Sequence, residues 1–122
     1  MKKLALFVEG LTEQTFAYRL IEEVAGKHNI SVQLLKGMGP SCSPSRFTQI
    51  HATSPDGATF HIMICDCSGE TSVLSDIRNQ YPTLAREGYD KVLGLRDVYP
   101  KAATEAPKML SAMAAFIPKG AV

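Results

Sequence analysis

The chain has 122 residues, room for one domain built around one core. Hydrophobic residues make up 45% and charged residues 20%, a balance that excludes a disordered polyelectrolyte and reads as ordinary globular protein. The net charge of +1, from 13 basic and 12 acidic side chains, neither supports nor excludes a nucleic-acid partner, because a local basic patch can sit inside a neutral total.

The opening residues Lys3 to Val8 form a continuous apolar run with β-formers, suited to a strand covered on both faces. Glu9 ends the run too early for a secretory core of about 7–15 apolar residues or a membrane span of about 20. The segment therefore predicts a buried strand of a cytoplasmic protein with no membrane partner. Glu9-Gly10 breaks it, and Thr12 is the expected N-cap of a helix, with Glu13 in a first turn where the dipole favours negative charge. Phe16, Leu20 and Val24, with Ala17 and Ile21, form one apolar stripe at helical spacing, and Gly26 is the expected left-handed cap.

Ile30 to Leu35 predicts a second strand, and residues 37–45, rich in glycine, serine and proline, a loop. Arg46 to Thr53 and Ala58 to Cys65 read as two strands around the turn Ser54-Pro55-Asp56-Gly57. Asp-Gly between two such runs predicts a β-hairpin. A second helix follows Ser68-Gly69, with Val73, Leu74, Ile77 and Tyr81 inward, Pro82 expected to end or kink it, and Gly88 to stop the segment. Lys91 to Arg96 predicts another strand, and beyond Pro100 a third helix carries Met109, Leu110, Met113 and Phe116 on its inner face. The order is α/β with a mostly parallel sheet, in a single domain spanning residues 1–122. The chain stops where a helix would hand over to another strand, which leaves an edge or apolar face for a longer chain or a second copy to cover; a domain truncated at its C-terminal end is the favoured reading, a homodimer the other.

Chemistry concentrates at strand ends. In open α/β sheets ligands bind just outside the carboxyl ends of the strands, where Glu9 follows the first strand and Asp97 ends the Val92–Leu95 run. On neighbouring strands these carboxylates could share Mg2+ (or Mn2+), which takes hard oxygen ligands and commonly only one or two carboxylates. The plainer alternative is that each acid caps a turn or the next helix. Cys42, Cys65 and Cys67 match no usual zinc framework, even with His51 and His61 added, and read as reduced thiols. His51 and His61 read as ordinary strand histidines, and Gly37-x-Gly39 is too short a pattern for a phosphate loop. Lys36, Arg46 and Arg96, with Arg78 and Arg86, are candidate phosphate contacts whose common face sequence alone does not define.

Leu6-Phe7-Val8-Glu9-Gly10-Leu11-Thr12-Glu13 resembles the opening E-G-x-[ST]-E signature of Toprim domains in OLD-family nucleases and their small relatives. Ser68-Gly69-Glu70 resembles the glycine-containing segment before that family's middle helix, and Leu93-Gly94-Leu95-Arg96-Asp97 its strand bearing a metal-binding aspartate. The resemblance covers roughly residues 3–99, with the predicted hairpin as an insertion. It implies a Toprim-like fold with Glu9 as metal ligand or general acid–base group and Asp97 as the first aspartate of a D-x-D pair. Here Tyr99 stands where the second aspartate belongs, and Asp66, Glu13 or Glu70 are the acids available to replace it. Two functions follow: a metal-dependent phosphodiesterase or nuclease acting on nucleic acid, with defence against phage or other foreign DNA as one setting, or a catalytically degenerate module that binds nucleic acid or a partner protein. A self-associating structural domain is the third reading.

Overall fold

A computed structural model describes residues 1–37, 47–69 and 72–96. Its elements run β1 (Lys2–Val8), α1 (Leu11–Ala25), β2 (Ile30–Gly37), β3 (Phe47–Thr53), β4 (Phe60–Asp66), α2 (Ser72–Arg86) and β5 (Lys91–Gly94). The five strands form one sheet in the order β3-β2-β4-β1-β5. All neighbours are parallel except β2 and β3, so the fold is α/β with a mostly parallel, mixed sheet.

The strand pairing corrects the predicted hairpin. β3 and β4 flank the Asp56-Gly57 turn but are not partners; β3 runs antiparallel to β2, and β4 inserts between β2 and β1. The reason is burial. Ile62 to Asp66 is buried residue by residue, which demands neighbours on both sides, whereas every β3 residue is at least partly exposed and suits an edge. The chain passes beneath the start of β2 to make this jump, held by Thr59 and Phe60 N–H groups that both donate to Asn29 O.

Two crossovers give the sheet two cores. The β1–α1–β2 unit moves one way along the sheet and β4–α2–β5 the other, and right-handed connection then puts the helices on opposite faces. α1 lies over β4 and β2, closing a core of Leu6, Val8, Ala17, Ile30, Val32, Leu34, Ile62 and Ile64. α2 lies over β1 and β5, closing the core of Ala5, Phe7, Met63, Cys65, Cys67, Val73, Ile77, Leu84 and Val92. Alternation along β1 and β4 supplies both cores from the same strands.

The helices also depart from expectation. α1 begins at Leu11, with Gly10 rather than Thr12 as N-cap; Gly10 is extended (φ −160°), no side chain caps the helix, and Gln14 N donates to Gly10 O. Gly26 closes it at φ +84°, as expected. The inner face is Gln14 and Ala17, flanked by Tyr18, Ile21 and Ala25, while Phe16, Leu20 and Val24 are exposed at 66%, 50% and 79%. α2 continues through Pro82 to Arg86, and Gly88 (φ +85°) ends the turn that follows. The predicted third helix lies outside the described residues.

Candidate functional site

Glu9 leaves the carboxyl end of β1, between the ends of β4 and β5. Backbone bonds fix it there: Cys67 N donates to Val8 O, Gly69 N to Glu9 O and Leu95 N to Phe7 O. Since the connections leaving β1 and β4 go to opposite faces of the sheet, the boundary between these two strands is the switch point, where open α/β sheets place their ligand crevice. The β4–α2 turn is shaped for close approach. Ser68 is left-handed (φ +59°), its N–H donates to Asp66 Oδ1 at 2.8 Å, and its hydroxyl donates to Gly37 O at 3.1 Å. A methyl group at Gly37 would stand 3.1 Å from Asp66 O and 3.3 Å from the Phe47 ring, so glycine lets the end of β2 pack closely against this turn.

The charged residues line the sheet edge in strand order: Lys36 on β2, Asp66 on β4, Glu9 on β1 and Arg96 after β5. Arg96 Nε lies 4.0 Å from Glu9 Oε1, and the two side chains are only 13% and 14% exposed. Arg96 Nε is buried and makes no hydrogen bond. Lys36 is exposed, opposite Asp66 in the ladder. Three strand spacings, about 14 Å, separate the strands of Lys36 and Arg96.

Asp66 does not join Glu9. It pairs in register with Val8 and shares that residue's face, and the pleat turns the next residue, Glu9, to the other face. Asp66 is 3% exposed, and its Oδ1 is engaged with the Ser68 N–H. Among the described residues no group of three histidine, cysteine or acidic side chains could hold a metal. What they offer a hard cation is the Glu9 carboxylate, one ligand of the one or two that magnesium commonly takes from protein. Asp97, Arg46, Glu70 and Cys42 lie outside the described residues. Glu13 folds back over the first turn of α1, its Oε2 3.2 Å from where a Gly10 Cβ would be.

The remaining candidates are structural. Cys65 and Cys67 are buried beneath α2, and burial, reinforced by the Asp76 carboxylate, pushes both thiols far up. His61 Nδ1 lies 3.0 Å from Ser31 Oγ; burial, then the nearby Lys3 charge, lowers its pKa. His51 stacks at a tilt on Tyr18. Two buried polar residues were not legible as such: Asp76, 3% exposed beside the thiols, and Gln14, 1% exposed. Counting Gln14, Ala17, Tyr18, Ile21 and Ala25 as one stripe would have found the latter.

Compared with models of known protein families, with curated proteins and with solved structures, the chain matches none. No helix among the described residues is long and apolar enough to cross a membrane.

Proposed function

We propose that this is a Toprim-like domain that engages nucleic-acid phosphate at the carboxyl edge of its sheet and assists phosphodiester cleavage there with Mg2+ (or Mn2+). The observation that carries the reading is the Glu9–Arg96 couple at the switch point, with a guanidinium N–H that makes no hydrogen bond beside a carboxylate. Arg96 is suited to a phosphate oxygen, because its planar fork matches phosphate geometry and its charge needs no protonation step. Lys36, farther along the same edge, would add a second electrostatic contact to the backbone. Glu9 and Asp97 would hold the ion, which when bound would polarise the phosphoryl oxygen and lower the pKa of a bound water. Glu9 would also move a proton at the reacting oxygen. The cytoplasm is the setting the reading supposes, and foreign nucleic acid its target.

A second reading is favoured by the same couple. With Arg96 against Glu9 and Asp66 turned to the other face, the edge also suits a non-catalytic module that grips phosphate without metal. Calorimetric titration of Mg2+ and Mn2+ into the wild type and Glu9→Gln, beside cleavage assays on single- and double-stranded DNA and RNA, separates the two. Divalent binding and cleavage that both vanish in Glu9→Gln are expected for the enzyme. Salt-sensitive nucleic-acid binding that survives EDTA and falls in Arg96→Ala, with no cleavage, would assign the module instead. Absence of any nucleic-acid binding would refute both.

A further inference from the structure

α1 buries one apolar face and leaves a second in solvent. Ala17, Tyr18, Ile21 and Ala25 pack on the sheet, while Phe16, Leu20 and Val24 are exposed at 66%, 50% and 79%. Members of the exposed row are four residues apart, so at about 100° per residue they drift through an arc of about 80°. Ala17 lies at the inner border of that arc, and Glu23 and Arg19 follow at its outer border. Three large side chains exposed in one row exceed the scattered apolarity of an ordinary surface.

The charges beside the row fit a second copy of the same helix. Arg19 and Glu23 are exposed on one border, and Glu13 and Lys27 stand beyond the two ends, in the first turn and just past the Gly26 cap. A second α1 laid antiparallel, with Leu20 at the crossing point, brings Phe16 against Val24 of the other copy and Leu20 against its own equivalent. The two-fold axis keeps each border facing the same border of the other helix. Glu23 then comes within two residues, about 3 Å along the axis, of Arg19 in the other copy. Glu13 falls opposite Lys27, since the two are equally far from Leu20 in sequence. A parallel pair would set Arg19 on Arg19 and Glu23 on Glu23, and would align the helix dipoles. The register that centres the apolar row is therefore also the one that pairs opposite charges.

We propose that the Phe16–Leu20–Val24 row is a homodimer interface, in which two copies of this chain pair their first helices antiparallel about Leu20. The contact is isologous, so one patch serves both copies and the assembly closes at two. One helix per copy offers an interface below the roughly 1,200 Å² at which stable complexes begin, so the dimer dissociates on dilution. None of these residues belongs to the Glu9–Arg96 edge, and dimerisation and phosphate binding are independent properties of the chain.

Sedimentation equilibrium on the full chain, from about 10 µM to about 1 mM, spans the range in which so small an interface dissociates. The mean mass should climb from 13.3 kDa toward twice that value. At the upper concentration, wild-type protein mixed from labelled and unlabelled chains should give isotope-filtered NOEs between the Phe16 ring and Val24 methyl groups of different copies. Arg19→Glu and Glu23→Arg, each alone, should dimerise at least about tenfold more weakly, because like charges then meet across the pair. Their equimolar mixture should recover the wild-type mass. A wild type that stays at 13.3 kDa throughout would overturn the proposal. So would a dimer without the Phe16–Val24 NOEs, which would put the contact on another surface such as the exposed β3 edge, or single-charge variants that dimerise as strongly as wild type.

Discussion

Replacing Gln14 by Glu should convert a pH-indifferent anchor into a pH-dependent liability. Gln14 is 1% exposed, and its Nε2 donates 2.9 Å bonds to Leu35 O and Ile64 O, tying α1 to β2 and β4. The Leu35 bond falls where the β2–β3 register slips, between Leu34 and Leu35, so the side chain supports the backbone at an irregularity of the ladder. A protonated glutamic acid keeps the shape but has one O–H, so one of the two bonds is lost, at about 1 kcal/mol. An ionised carboxylate would face two carbonyl oxygens out of contact with water, so the folded state must keep the acid protonated. Its folded pKa is then raised above the usual glutamate value, and the stability it permits is present below that value and lost as pH rises. At about 1.4 kcal/mol per pH unit, the interval from the usual value near 4.3 up to pH 7 adds about 4 kcal/mol to the deficit. Gln14→Glu should thus lie about 1 kcal/mol below wild type at pH 4 and about 5 kcal/mol below at pH 7, a large part of the 5–15 kcal/mol typical of domains. Urea denaturation followed by far-ultraviolet circular dichroism across this range measures both. A deficit that stays flat from pH 4 to 7 would refute the argument, because it would mean that water reaches position 14.

Four further outcomes follow from the same packing. Gly37→Ala forces a methyl group against the Asp66 carbonyl and the Phe47 ring and should cost about 1–3 kcal/mol, seen as a lowered thermal midpoint; an unchanged midpoint would show that the strand end yields freely. In a Cys42→Ser background, Cys65 and Cys67 should resist a thiol reagent at pH 8 until the protein is unfolded, and rapid native labelling of either would contradict their burial. Because their folded pKa values are raised, stability should also fall as pH climbs past the ordinary thiol value of 9.0, where the unfolded chain loses protons first. His61 behaves oppositely: its depressed folded pKa contributes stability above the ordinary 6.5 that is lost as pH falls through the folded value. The thermal midpoint of wild type should therefore drop between pH 7.5 and 5 more than that of His61→Phe, and parallel profiles would remove His61 as the cause.

Much of the candidate site was legible because strand ends are marked locally. The apolar run through Val8 stops at Glu9, and that break alone puts a carboxylate at the edge of a parallel sheet. The neighbours of Glu9 were not legible, since they depend on strand order. Asp66 was a candidate to complete the site with Glu9, yet a one-residue offset in the β1–β4 register sends the two to opposite faces, whereas Arg96, a candidate phosphate contact in sequence, comes within 4.0 Å of Glu9.

The same division runs through the fold. Length and periodicity determine the α/β class and the extent of most strands and of α1, because alternation and helical spacing are properties of neighbouring residues. Tertiary structure decides which strands meet and which helix face is inner. The Asp56-Gly57 turn invites a hairpin, but β4 is apolar on both faces and needs two neighbours, so burial outweighs local turn chemistry and sends β3 to the edge beside β2. Phe16, Leu20 and Val24 are the most apolar row of α1, yet Gln14 and Ala17 turn inward: Ala17 fits close against the sheet, and only Gln14 can donate to carbonyl groups of two strands at once.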